Sequence, residues 1–200
     1  MSPTGTYATL GLARSLWLPS GDRWHSCSMS PEEPLSSRIG KLCRLTGKFT
    51  LRSGQVSDTY FDKYLFESDP RLLREIADQA VALIPPGTEV LAGLELGGVP
   101  IAIALSLATG IPAVFVRKEP QPYGTRKLAE GIDVKNRRTL IVEDVITTGG
   151  QVAASAVELR ERGARIESVL CIIDRSHGDH SQLDQCACSV ISLLTSNQLV

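Results

Sequence analysis

The residues best placed to do chemistry in this chain of 200 amino acids lie in one string, Thr139-Leu-Ile-Val-Glu-Asp-Val-Ile-Thr-Thr-Gly-Gly150. An apolar strand runs into two adjacent carboxylates, Glu143 and Asp144. A turn of two threonines and two glycines then opens the helix that starts near Gln151. Glycines let a ligand approach the backbone closely, and free N–H groups at a helix N-terminus hold an anion. The hydroxyls of Thr147 and Thr148 add donors. The pattern suits a phosphate seated in the turn, with a polyhydroxyl group beside it donating hydrogen bonds to the two acids. No Gly-Lys-Ser/Thr follows, which excludes a Walker A loop. A strand–turn–helix corner capped by threonine would share some of these residues; the length of the whole string favours the anion site.

Three further clusters fall near strand ends. Gly93-Leu-Glu-Leu-Gly-Gly-Val-Pro100 is again strand, glycine-rich turn and helix, readable as a second anion turn or as a tightly packed connection. Arg117 and Lys118 open a polar loop, 118–131, that holds Gln121, Tyr123, Arg126 and Lys127. Such a loop is either plainly solvated or a cover over a site. Phe49-Thr-Leu-Arg-Ser-Gly54 precedes Tyr60-Phe61-Asp62, and four of the eight Tyr and Phe fall between Tyr60 and Phe66. Flat apolar faces concentrated there suit a planar ligand, or else a hairpin packed on the core.

These clusters need a scaffold. Leu35, Ile39, Leu42 and Leu45 recur at helical spacing until Thr46-Gly47. Residues 49–51 and 59–62 read as paired short strands around the turn 52–54. Asp69-Pro70 caps a helix running through Leu83. Strands at 90–94, 113–116, 139–142 and 166–173 then alternate with helices at 99–108 and 151–162, and a last strand covers 189–194. Apolar runs of strand length between helices predict an α/β fold, a parallel sheet flanked by helices, with ligands beyond the carboxyl ends of the strands.

Composition narrows the classes. Lys+Arg of 21 against Asp+Glu of 22 leaves a net charge of −1, with no basic stripe, so nucleic acid gets no support as a partner. Five scattered cysteines read as reduced thiols in a cytoplasmic protein. The apolar run 99–116 contains Ser106, Thr109, Gly110 and Pro112 and reads as helix plus strand, not a membrane span. Residues 1–28 hold both tryptophans and read as a disordered extension, upstream of a working start at Met29 or serving as a targeting segment. The single domain is then 29–200, with a hood at about 31–66 and a core at about 70–194. His177, His180, Cys186 and Cys188 match no structural-zinc spacing; the two cysteines read as buried thiols on one strand face, and no metal ligand is assigned.

The string ending at Gly150 resembles the signature of phosphoribosyltransferases that use phosphoribosyl pyrophosphate (PRPP), and the resemblance extends from Leu35 to about Leu194. It implies a phosphoribosyltransferase-type core with a small N-terminal hood of helix and short strands. It also implies that Glu143 and Asp144 take the ribose hydroxyls, while Thr147, Thr148, Gly149 and Gly150 take the 5′-phosphate. Gly93 to Pro100 is similar to the pyrophosphate loop, where some orotate enzymes have lysine in place of Gly97. Arg117, Lys118 and Tyr123 would contact PRPP. The hood resembles that of the orotate phosphoribosyltransferases, implying that Arg52, Tyr60, Phe61, Thr148 and Arg175 bind orotate. Catalysis would fall to Glu143, Asp144, Lys118 and Gln121, with magnesium bound mainly through PRPP and a homodimer sharing loop 118–131. Gln121 departs from the family, which has lysine there. A purine or other base, or a PRPP-binding regulator weakened at Gln121, are the alternatives.

Overall fold

The computed structural model describes residues 33–50, 54–118 and 128–199. Arg52, Gln121 and Tyr123, together with the N-terminal extension, lie outside the described residues.

Helix α1 (Leu35–Cys43) buries Leu35, Ile39 and Cys43, successive four-residue steps along one face. It gives way at once to β1 (Arg44–Thr50), so Leu45 lies on a strand and Thr46-Gly47 does not stop a helix. Gly47 sits instead where the register with β2 (Val56–Phe61) shifts between Thr46 and Phe49, a bulge in the antiparallel pair. The short α2 (Tyr64–Ser68) follows, in a segment that the aromatic residues had marked only as apolar. Its Phe66 is fully buried. Asp69 caps α3 (Pro70–Ala80) by accepting from the N–H groups of Arg71 and Leu72, as its Asp-Pro start predicts. The helix ends at Ala80, and 81–83 tighten into a 3-10 turn.

The main sheet holds β3 (Val90–Leu94), β4 (Ala113–Val116), β5 (Ala129–Glu130), β6 (Thr139–Ile146), β7 (Ser168–Asp174) and β8 (Ser189–Thr195), ordered β5-β4-β3-β6-β7-β8. All neighbours are parallel except β5, which closes the β4 edge antiparallel from within the polar loop. β3 and β7 are buried along their whole length, as strands covered on both faces must be. Helix α4 (Gly98–Thr109) packs on β3, β4, β6 and α3, and α5 (Gly150–Glu161) packs on β6 and the short α6 (Ser181–Gln185). No helix among the described residues is long and apolar enough to cross a membrane.

Two expectations need correction. β6 does not stop at Val142: pairing with β7 continues to Ile146 opposite Asp174, so Glu143 and Asp144 lie inside the strand. Cys186 and Cys188 are on no strand; they flank the turn between α6 and β8, the first half-buried and the second buried. Among the described residues no group of three or more His, Cys, Asp or Glu is placed to hold a metal, and His180 pairs with Asp174 at 2.9 Å.

After β3 the chain steps to β4, then returns to the other side of β3 as β6. The carboxyl ends of β3 and β6 therefore flank a topological switch point, where a parallel sheet opens a crevice for ligands.

Candidate active site

Glycine builds this crevice. A methyl group on Gly98 would lie 2.2 Å from the Val142 carbonyl oxygen, so only a bare Cα lets the start of α4 rest on β6. A methyl group on Gly97 would lie 1.9 Å from Asp144 Oδ2 and 2.7 Å from Glu67 Oε1. The missing side chain of Gly97 is thus occupied by carboxylates from β6 and α2. This contact joins the second glycine-rich turn directly to the acid pair. It also excludes at position 97 any lysine of the kind some orotate enzymes carry, while Asp144 keeps this position.

On β6, Glu143 Oε1 accepts from the Asp144 N–H at 3.2 Å, and Asp144 Oδ1 accepts from the Val145 N–H at 2.6 Å. Asp144 has no exposed surface, and its Oδ2 stands 2.5 Å from Lys63 Nζ. That ion pair serves an atom otherwise without a hydrogen bond of acceptable geometry, as is Glu67 Oε1. Burial and the Asp144 carboxylate push Glu67 up to about 9 and Glu143 up to about 10. Burial would raise Asp144 too, but the adjoining Glu143 and Glu67 carboxyls and the Lys63 ammonium outweigh it and hold Asp144 at about 2. Near neutral pH the cluster therefore contains one carboxylate, two protonated carboxyls and one ammonium.

That proton distribution has a consequence for stability. Glu67 takes up a proton on folding, so the stability linked to it is complete below its ordinary 4.5 and is lost as pH rises toward about 9. Glu67→Gln keeps the neutral shape and removes the titration. Denaturant melts at several pH values should show the variant gaining on wild type from pH 5 to pH 9. Parallel curves would refute this account of Glu67.

Past β6, Thr147 and Thr148 are exposed, and Gly149 has the positive φ of 77° that glycine tolerates. A methyl group on Gly149 would also strike Leu183 of α6 at 2.8 Å. Gly149 accepts the Ala153 N–H at 2.9 Å, beginning α5 with its first amides free of intrahelical partners. Free amides of this kind can hold an anion.

At the neighbouring edge, the N–H of Arg117 bonds the Leu128 carbonyl at 2.8 Å and its Nε lies 3.4 Å from Glu130 Oε1. The Lys118 N–H donates to Glu95 Oε2 at 3.0 Å, tying this strand end to the second glycine turn. In the hood, Tyr60 and Phe61 point to opposite faces of β2. Tyr60 meets the Phe49 ring, 5.5 Å between centroids, whereas the Arg175 guanidinium lies 5.2 Å over the Phe61 ring. The Arg175 N–H bonds the Ile146 carbonyl at 2.7 Å, and Asp174 bonds Ser176 and His180, fixing the turn that carries the arginine.

The structure thus brings together Glu143, Asp144 and the 147–150 turn in one group and Phe61 with Arg175 in another. Lys63 and Glu67 escaped the sequence reading. Their four-residue spacing, which puts two side chains on one helical face, was the available signal.

Residues 68–197 match the phosphoribosyl transferase domain. The chain is 52% identical over 171 residues, 86% of its length and 96% of the relative's, to the orotate phosphoribosyltransferase of a Nocardioides species. It is 42% identical over 154 residues to the orotate phosphoribosyltransferase of Methanocella arvoryzae, covering 77% of this chain and 88% of that one. Among solved structures, Mycobacterium tuberculosis orotate phosphoribosyltransferase in complex with Fe(III) dicitrate aligns with a TM-score of 0.74 at 29% identity, over 82% of this chain and 96% of that one. The same enzyme in complex with PRPP aligns with a TM-score of 0.69 at 27% identity, over 83% and 99%. With the acid pair, both glycine turns and the hood in place, the chain belongs to the phosphoribosyltransferase family and, within it, to the orotate phosphoribosyltransferases.

Proposed function

We propose that this orotate phosphoribosyltransferase joins orotate to PRPP, giving orotidine 5′-monophosphate and pyrophosphate in de novo pyrimidine synthesis, with each substrate part held by the residues assigned to it above. The observation that carries the reading is the contact of Gly97 with Asp144, which places the pyrophosphate turn against the acid pair. Glu143 and Asp144 take the ribose hydroxyls, and Thr147 to Gly150 take the 5′-phosphate. Arg117, Lys118 and Tyr123 take the remaining PRPP phosphates. Phe61 covers the planar base, with Arg52, Thr148 and Arg175 available to its carboxylate and carbonyls, while Tyr60, on the opposite face of β2, supports the hood by packing on Phe49.

In the reaction the bond from the anomeric carbon to pyrophosphate breaks, the electron pair leaving with oxygen, and an orotate ring nitrogen forms the new bond. The sugar passes through oxocarbenium character, so the chain needs to align and to stabilise charge, with no covalent nucleophile. Magnesium, carried mainly by PRPP, would neutralise the departing phosphates. The test is magnesium- and PRPP-dependent loss of orotate ultraviolet absorbance. Absence of turnover with PRPP binding intact would replace this reading with that of a PRPP-binding regulator.

Gln121 stands where the family resemblance places a lysine that meets the leaving group. Gln121→Lys should raise kcat on the order of tenfold or more, with PRPP affinity little changed, because a preorganised cation acts on charge that develops in the transition state. An unchanged or lower kcat would refute this.

We also infer a homodimer with loop 118–131 shared between subunits, a single functional domain over 29–200, and a cytoplasmic location. Ile103 and Leu107, one turn apart on α4 and 40% and 84% exposed, support the dimer as apolar surface that a second copy would cover. A monomeric mass by light scattering would exclude it. The contacts that gather Pro31–Val200 into one unit support the domain.

A further inference from the structure

One cation stands at the ribose acids without a part in the transfer described above. Lys63, at the N-terminal cap of α2, is about one-third exposed along its side chain, yet its Nζ lies 2.5 Å from the fully buried Asp144 Oδ2. It reaches there from the hood across to β6 of the core. Its ammonium is 5.4 Å from the Tyr64 ring centre, and one turn further along α2 Glu67 places Oε1 in the space left open by Gly97. The charged and titratable groups around the pair are therefore Asp62 before α2, Tyr64 and Glu67 on it, and Glu143 on β6.

A carboxyl enclosed by two other carboxyls and removed from water would ordinarily bind a proton. A protonated Asp144 loses its charge and turns one oxygen into a donor, which suits a ribose diol poorly. Lys63 opposes that tendency alongside the two neighbouring carboxyls, and it is the one full positive charge paired with Asp144 among the described residues, in a site where an ion pair shielded from water is stronger than one in bulk solvent. The neutral state of Glu67 and Glu143 and the ionised state of Asp144 agree with this arrangement. Lys63 also stays charged despite its partial burial, since Asp144 and Glu143 more than offset the desolvation.

We infer that Lys63 is a positioning residue for PRPP: carried by the hood, its ammonium keeps Asp144 an aimed carboxylate, so the ribose acid is in working order only with the hood seated on the core. This rests on Asp144 being the ribose acid.

The test compares wild type with Lys63→Met, which keeps the aliphatic stem, and Lys63→Arg, which keeps the charge. Lys41→Ala, removing a hood lysine paired with Glu33, is the control. kcat and KM for PRPP are measured from pH 5.5 to 9, alongside thermal melts. Lys63→Met should lose on the order of tenfold to a hundredfold in kcat/KM at pH 7, mostly through KM, and should gain an acid limb below neutrality that wild type lacks. Lys63→Arg should recover most of the loss and the flat profile. A methionine variant that melts lower but keeps wild-type kinetics and pH profile overturns the inference and leaves Lys63 structural. An arginine variant as impaired as methionine overturns it as well. If methionine prevents folding, the pH profile of the arginine variant decides: flat supports, an acid limb refutes. Wild type that fails to turn over orotate sinks the functional reading instead, and pH-dependent PRPP binding by calorimetry then judges Lys63 separately.

Discussion

Asp144→Asn should lower kcat/KM for PRPP on the order of 10²- to 10³-fold, about 3–4 kcal/mol of transition-state stabilisation. The carboxylate is fully buried, ionised and paired with Lys63. Asparagine matches its shape but not its chemistry. One orientation turns the amide N–H groups toward the Lys63 ammonium, and the other turns them toward the Val145 N–H. Glu143→Gln provides the contrast: Glu143 already holds a proton near neutrality, so glutamine changes little there, and a loss below about tenfold is expected. Steady-state kinetics with PRPP varied at saturating orotate check both. Equal losses in the two variants would show that Glu143 is the working anion and that the proton assignment in the cluster is wrong.

The second large effect is on the backbone. Gly98→Ala puts a methyl group 2.2 Å from the Val142 carbonyl oxygen, and the obstacle is main chain, which cannot rotate aside as a side chain does. The start of α4 must lift from β6, where it borders the acid pair. The expected cost is about 1–3 kcal/mol or more, a fall in Tm of roughly 3–10 °C for a domain of this size. Activity should fall further than stability accounts for, because the displaced element carries the glycine turn proposed to hold pyrophosphate. Thermal melts and kinetics on the same preparation check this. An alanine variant with wild-type Tm would show that α4 and β6 adjust freely here.

The difference between what sequence patterns expose and what they conceal is clear in these residues. β3 and β4 were readable to the residue because apolar runs bounded by Glu89 and Glu95, and by Pro112 and Arg117, leave little choice of limits. The turn at 147–150 was readable as a turn opening a helix because its signal is local: a strand end, hydroxyls and glycines in succession. β6 was read four residues short, since charged residues normally mark a strand's exit, and only pairing with β7 retains Glu143 and Asp144 within it. Leu45 was misplaced because a helical period ran by chance into the first residues of a strand. Lys63 and Glu67 bear no motif at all. Glu67 fills a space at Gly97, thirty positions away in the chain, and Lys63 meets Asp144 farther still, contacts that only the folded crevice defines.

The cation–π contact of Arg175 with Phe61 joins two structures of unequal strength. Phe61 belongs to a two-stranded ribbon, and isolated ribbons of that kind are marginal. Arg175 follows β7, an interior strand of the main sheet buried along its whole length. Opening of the ribbon is therefore a low-energy fluctuation compared with global unfolding, and it separates the two walls between which a flat ring would lodge. Any ligand held by both walls raises the free energy of that opening by mass action, with its concentration setting the amount. If a base lodges there as proposed, the pocket acts as its own door, opening less often as it fills.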